Sequence, residues 1–232
     1  MEEENLWGKP SDNTPLSYVQ QNSVQQLFQD LNSQEIESFL LEGAKITPKI
    51  WEINKKNGVQ LSLNQNTDMW HSDMDGHIEL GLKKWTEDIK EMFGLNKDSS
   101  DVELKRYIFS HENNHYVLWY MFKHQDKFPY FAKIYNKLKQ IRQFSGWQWL
   151  SQLGNLSMYE QRRSQHDEDF VELLNKYCLS PDDFMVYLNS LVSGVDRWKK
   201  NLWKISEKDA NWFFEGIANC VEVFLEENWM KL

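Results

Sequence analysis

Three textures of apolar and polar positions follow one another along the chain. Residues 1–22 are polar, contain Pro10 and Pro15, and sustain no period, which predicts an irregular arm. From residue 23 the apolar positions Val24, Leu27, Phe28, Leu31, Ile36, Phe39 and Leu40 recur at helical spacing, which predicts two short helices stopped by Gly43. The period then shortens. "ITPKIWEINKKNGVQLSL" (46–63) alternates around Lys56-Asn57-Gly58, a hairpin signal, and "DGHIELGL" (75–82) is a second alternating run led by Asp-Gly. Together they predict a small antiparallel sheet of about three strands. After "KKWTEDIKEMFGL" (83–95) helical spacing dominates to the C-terminus, and nothing repeats at a fixed interval. The pattern therefore predicts one α+β, mostly helical domain over 23–232, in which a small antiparallel sheet precedes the long helices.

The best-marked helix begins at "SDVE", where Ser100 and Glu103 have the spacing of a capping box. No Gly or Pro interrupts it from Val102 to Phe122, and it carries "HENNH" at 111–115. Residues four apart share a helix face, so His111 and His115 can point at one ion, with Tyr107, Ile108, Leu118 and Phe122 supplying apolar surroundings. Glu112 is turned about 100° from His111, which lets it act on a water without being a ligand. Two imidazoles that hold zinc and a carboxylate that takes a proton from water are the parts of a hydrolytic metal site. The plainer reading is an amphipathic helix with two incidental histidines.

A catalytic zinc needs a third protein ligand. "NLSMYEQRRSQHDEDFVELLNKY" (155–177) offers one, since Ser164 and Asp167 can open a helix on which Glu168 and Glu172 lie four apart. Phe170, Val171, Leu173, Leu174 and Tyr177 would bury that helix, and acids on its inner face need a positive charge opposite them. Alternatively, Glu168 is only part of an acidic first turn that suits the helix dipole.

"HENNH" followed by "EDFVELL" resembles the gluzincin metallopeptidases, and among them the lethal-factor-type catalytic domains, over about residues 76–177. The resemblance implies a zincin-like fold and one zinc ion held by His111, His115 and Glu168, with Glu172 orienting a ligand histidine. It implies Glu112 as general base, and Tyr159 as the group that steadies the oxyanion; His166, nearer to Glu168, is the other candidate for that role. It further implies that "GHIELGL" (76–82) forms the edge along which a peptide or protein substrate lies.

Composition narrows the alternatives. A formal charge of −9 argues against nucleic acid and anionic membrane as partners. The acidic N-terminus has no basic run followed by an apolar one, and no stretch has the length to span a bilayer, so a cytoplasmic protein is expected. Cys178 and Cys220 lie in apolar helical contexts with no activating neighbours, and no Gly-rich phosphate loop is present. "MWHSDMDGHIEL" gathers His71, Asp73, Asp75 and His77; strand alternation and turn chemistry explain it more cheaply than a second metal site, and it lacks the glutamate of a calcium loop. Trp198, Trp203, Trp212 and Trp229 crowd the C-terminal third, as core packing or as a partner surface. The leading expectation is a zinc metallopeptidase. Its rivals are a non-enzymatic helical interaction protein or inactive zincin that docks a protein partner, and a metal-dependent hydrolase of something other than peptide. The sequence leaves the oligomeric state open.

Overall fold

The computed structural model describes residues 31, 33–67, 70–82, 100–144, 165–179, 181–193 and 206–229. They form a mostly helical α+β structure with a small three-stranded mixed sheet. In chain order the elements are α1 (Ser33–Leu41), α2 (Thr47–Lys56), β1 (Gln60–Asn64), β2 (Trp70–Ser72), β3 (His77–Gly81) and α3 (Asp101–Lys123). A 3-10 turn (Gln125–Lys127) then leads into α4 (Phe131–Phe144), α5 (Gln165–Leu179), α6 (Pro181–Ser193) and α7 (Glu207–Trp229).

α1 ends as its sequence predicts, with Gly43 at a φ of +78°. The stretch expected to be the first arm of a hairpin is instead α2. Its Ile50, Trp51, Ile53 and Asn54 are buried, a helical rather than alternating set, and Pro48 stands in the first turn, where a missing N–H costs nothing. Asn57-Gly58 is the end of that helix and not a hairpin turn: the Asn57 amide donates back to Ile53 O, and Gly58 takes a φ of +94°.

The sheet also departs from expectation. Its order is β1-β3-β2, with β1 parallel to β3 and β2 antiparallel to it, so it is mixed rather than antiparallel. β3 lies in the middle, paired on both sides, and is therefore not the edge strand that the resemblance implied; β1 and β2 are the outer strands.

α3 joins two apolar clusters. Val102, Leu104, Ile108 and Phe109 pack with α1, Trp51 and the sheet residues Ile78 and Leu80. Val117, Leu118 and Met121 pack with Ile50 and Ile53 of α2 and with α4 to α7. Between the two lies the turn that carries both histidines. Phe122, expected to line that environment, is 37% exposed, with its ring edge-on to Phe131 and Tyr135. In the C-terminal third, Trp212 packs against the helical cluster and Trp229 is exposed, while Trp198 and Trp203 lie outside the described residues.

α7 closes on α4 at Gly216. A Cβ there would run into the Ile134 Cδ1 methyl and stand 3.3 Å from Cγ1. Since Ile134 is fully buried, the overpacking cost of Gly216→Ala, about 1–3 kcal/mol, should exceed the roughly 0.5–1 kcal/mol that Ala gains over Gly within a helix, and the melting temperature measured by circular dichroism should fall.

Candidate metal centre

The capping box fixes where α3 begins. Ser100 Oγ accepts from the Glu103 amide at 3.2 Å, and Glu103 Oε2 accepts from the Ser100 amide at 2.7 Å. Eleven residues on, His111 and His115 stack their rings edge to face, with centroids 5.1 Å apart. Asn113, between them, is turned the other way, and Asn54 of α2 donates to its side-chain Oδ1 at 2.7 Å and to its main-chain oxygen at 3.1 Å. That contact, with Thr47 Oγ1 at 3.1 Å from Ser110 Oγ, sets the rotation of α3 about its axis.

α5 crosses the same turn and brings Glu168 and Glu172 to it. The start of α5 is held from both sides, by Tyr135 of α4 bonding to Asp167 and by Tyr187 of α6 donating to Asp169 at 3.3 Å. Glu168 Oε2 consequently sits 3.3 Å from His111 Nε2 and 3.5 Å from His115 Nε2. His111, His115 and Glu168 form a cluster whose ligand atoms all lie within 4.8 Å of one another. Both histidines are buried and Glu168 is part-exposed, so the cluster opens to solvent on the glutamate's side.

Both the distances and the protons of the cluster bear on whether a metal ion fits. Two ligands about 2.05 Å from a tetrahedral zinc are separated by roughly 3.3 Å, whereas a charge-assisted hydrogen bond is about 2.7–2.9 Å long. The observed 3.3 and 3.5 Å match the first. The protons are constrained as well. His111 Nδ1 lies 3.0 Å from Glu172 Oε2, and in the neutral tautomer that donates there the lone pair of Nε2 faces the Glu168 carboxylate. Lone pair against carboxylate is repulsive unless a metal ion, or a proton on Nε2, lies between them.

Where protons fill that place, burial still works against the Glu168 carboxylate, but hydrogen bonds from His111 and His115 and their charge prevail and hold its carboxyl well below the ordinary range; a metal ion would take the place of those protons. Burial lowers the pKa of His115 despite Glu168 and Glu112, which favours the neutral, ligating imidazole. Burial pushes the Glu172 carboxyl up to about 7, against the opposing pull of the Lys176 ammonium 3.7 Å away. Glu172 also accepts a bond from Tyr107, and Asn175 Nδ2 donates to the Tyr107 carbonyl at 3.3 Å, so the carboxylate behind His111 is fixed on several sides.

Glu112 is buried beside this group. Its Oε2 lies 3.9 Å from His115 Nε2 and accepts a hydrogen bond of 2.6 Å from Ser72 Oγ of β2. The five residues expected as ligands, base and orienting carboxylate thus come together. Tyr159 lies outside the described residues, and His166 is placed only as the second residue of α5. Ser72 and Lys176 are not among the residues the sequence singles out, and Tyr107, expected only as apolar surroundings, donates its hydroxyl to Glu172. Tyr107 and Lys176 carried a signal, each being four residues from a site residue, His111 and Glu172 respectively; Ser72 carried none.

The cysteines take no part. Both thiols are free and buried, and burial pushes both upward, that of Cys220 to about 12. No helix among the described residues is long and apolar enough to cross a membrane. No protein-family model matches the chain, and no curated protein or solved structure matches it significantly.

Proposed function

We propose that this protein is a zinc-dependent metallopeptidase of zincin type. The observation that carries the reading is the convergence of His111 Nε2, His115 Nε2 and Glu168 Oε2 at the spacing of zinc ligands, with the Glu112 carboxylate beside them. A zinc ion bound there supplies Lewis acidity towards water and towards a carbonyl oxygen. Glu112 accepts the proton of the attacking water and returns it to the leaving amine. Ser72 fixes one oxygen of that carboxylate, and Glu172 holds His111 in the tautomer that presents Nε2. An extended peptide pairs along β2, the outer strand whose Ser72 touches the base, by main-chain hydrogen bonds.

The test is elemental mass spectrometry on protein purified without added metal. Wild type should carry zinc, and Glu168→Ala should carry about one equivalent less per chain. Cleavage of a peptide library by wild type alone would extend that result to activity. Equal zinc in both proteins after incubation with the metal would overturn the reading.

A further inference from the structure

We propose that the β2–β3 hairpin carries a second metal site, in which His71, Asp73 and His77 bind a divalent transition-metal ion of the zinc class on the outer face of the sheet. The pairing of His71 with Glu79 and of Ser72 with Ile78 fixes the faces. Ser72, Ile78 and Leu80 turn inward and are buried, so His71, Asp73 and His77 share the opposite, part-exposed side. Each offers one ligand atom, and these atoms lie within 4.8 Å of one another, with the two imidazole centroids 6.4 Å apart.

The three side chains stand on a fixed frame. The Asp73 amide donates to His77 O at 3.0 Å, and Asp73 Oδ1 accepts from the amides of Asp75 and His77, each at 3.0 Å. Tyr116 of α3 donates to the Asp73 carbonyl at 2.9 Å. Gly76 closes the turn at a φ of +94°, and its carbonyl accepts from the Gln60 amide at 2.8 Å. The turn amides therefore fix the Asp73 carboxylate, one oxygen of which lies within 4.8 Å of a ring nitrogen of each histidine. A set of two imidazoles and one carboxylate from a rigid hairpin, with positions left for water, suits zinc or its late transition-metal neighbours and not calcium. Four of the six histidines in the chain fall in this cluster and the centre on α3, two in each. Asp75, the fourth residue of the sequence motif, serves the turn through its amide.

The site is separate from the centre on α3, since it shares no ligand with it. It also bears on it, because Ser72 lies between His71 and Asp73 and its hydroxyl holds Glu112. An ion on the outer face would stiffen the strand that orients the base; this consequence alone rests on the function proposed above.

The experiment is zinc titration of the full chain by isothermal calorimetry and elemental analysis, in wild type, in His115→Ala, and in two hairpin variants. Asp73→Asn keeps an oxygen for the turn amides and removes the ligand charge; His77→Gln removes a ring. Wild type should bind two ions per chain and His115→Ala should keep one. Each hairpin variant should lose at least tenfold in affinity for one ion and leave the other unchanged. If the α3 centre binds nothing, wild type should still bind one ion, lost in the hairpin variants but not in His115→Ala. Zinc isotherms in Asp73→Asn and His77→Gln that superimpose on wild type would overturn the proposal. Retained far-ultraviolet dichroism in Asp73→Asn ties any loss to the ligand rather than to folding.

Discussion

A Glu112→Gln protein is expected to keep its zinc at the α3 centre and to lose peptide cleavage by about 10²–10⁴-fold in kcat. The amide has nearly the shape of the carboxylate and can still accept from Ser72 Oγ, so the packing around this buried residue should survive. What it cannot do is take a proton. The proposed ligand atoms belong to His111, His115 and Glu168 and not to Glu112, so metal content should not follow activity. Ser72→Ala provides a graded companion: the carboxylate keeps its basicity but loses the donor that aims it, and kcat should fall by less than in Glu112→Gln. Parallel measurement of zinc content and single-turnover cleavage separates the two variants from any that merely lose metal. Turnover by a zinc-loaded Glu112→Gln protein free of wild-type contamination would sink the assignment of Glu112 as base.

The legible parts of this molecule are those whose physics is local. The capping box at Ser100 and Glu103, the pairing of His111 with His115, and the presence of Glu168 and Glu172 on one helix each depend on spacings of three or four residues, and the structure reproduces them. The segment 47–56 misled because isoleucines and a tryptophan favour strands, and Asn57-Gly58 ends a helix with the residues that also turn a hairpin. What locks the segment in place is a distant partner, since Asn54 reaches Asn113 across 59 residues of chain. The strand order is equally non-local: β1 pairs with β3 in parallel past an intervening β2, which no turn signal announces. Ser72 shows the limit most clearly. A serine in a short strand looks like any solvent-facing serine until α3, 40 residues on, brings Glu112 within 2.6 Å of its hydroxyl.

Zinc is also expected to stabilise the fold, and most of that gain should vanish in His115→Ala. The α3 centre gathers the acidic side chains of Glu112, Glu168 and Glu172 around two buried imidazoles, and Lys176 lies beside Glu172. Such a group is costly to bury without a cation at its centre. At free zinc about a thousand times the dissociation constant, an ion that binds only the folded state contributes about 4 kcal/mol. For a chain of this size that corresponds to roughly 8–16 °C in melting temperature. Scanning calorimetry with zinc and with chelator measures the difference directly, and a His77→Gln background removes any contribution from the hairpin. In that background, His115→Ala should melt at nearly one temperature in both conditions. Glu172→Gln should behave differently: it keeps all three ligands but weakens the hold on His111, so about 10–100-fold more zinc should be needed for the same shift. A zinc-induced shift that is equally large in His115→Ala would mean that the stabilising ion sits elsewhere and that the α3 cluster is not a metal centre.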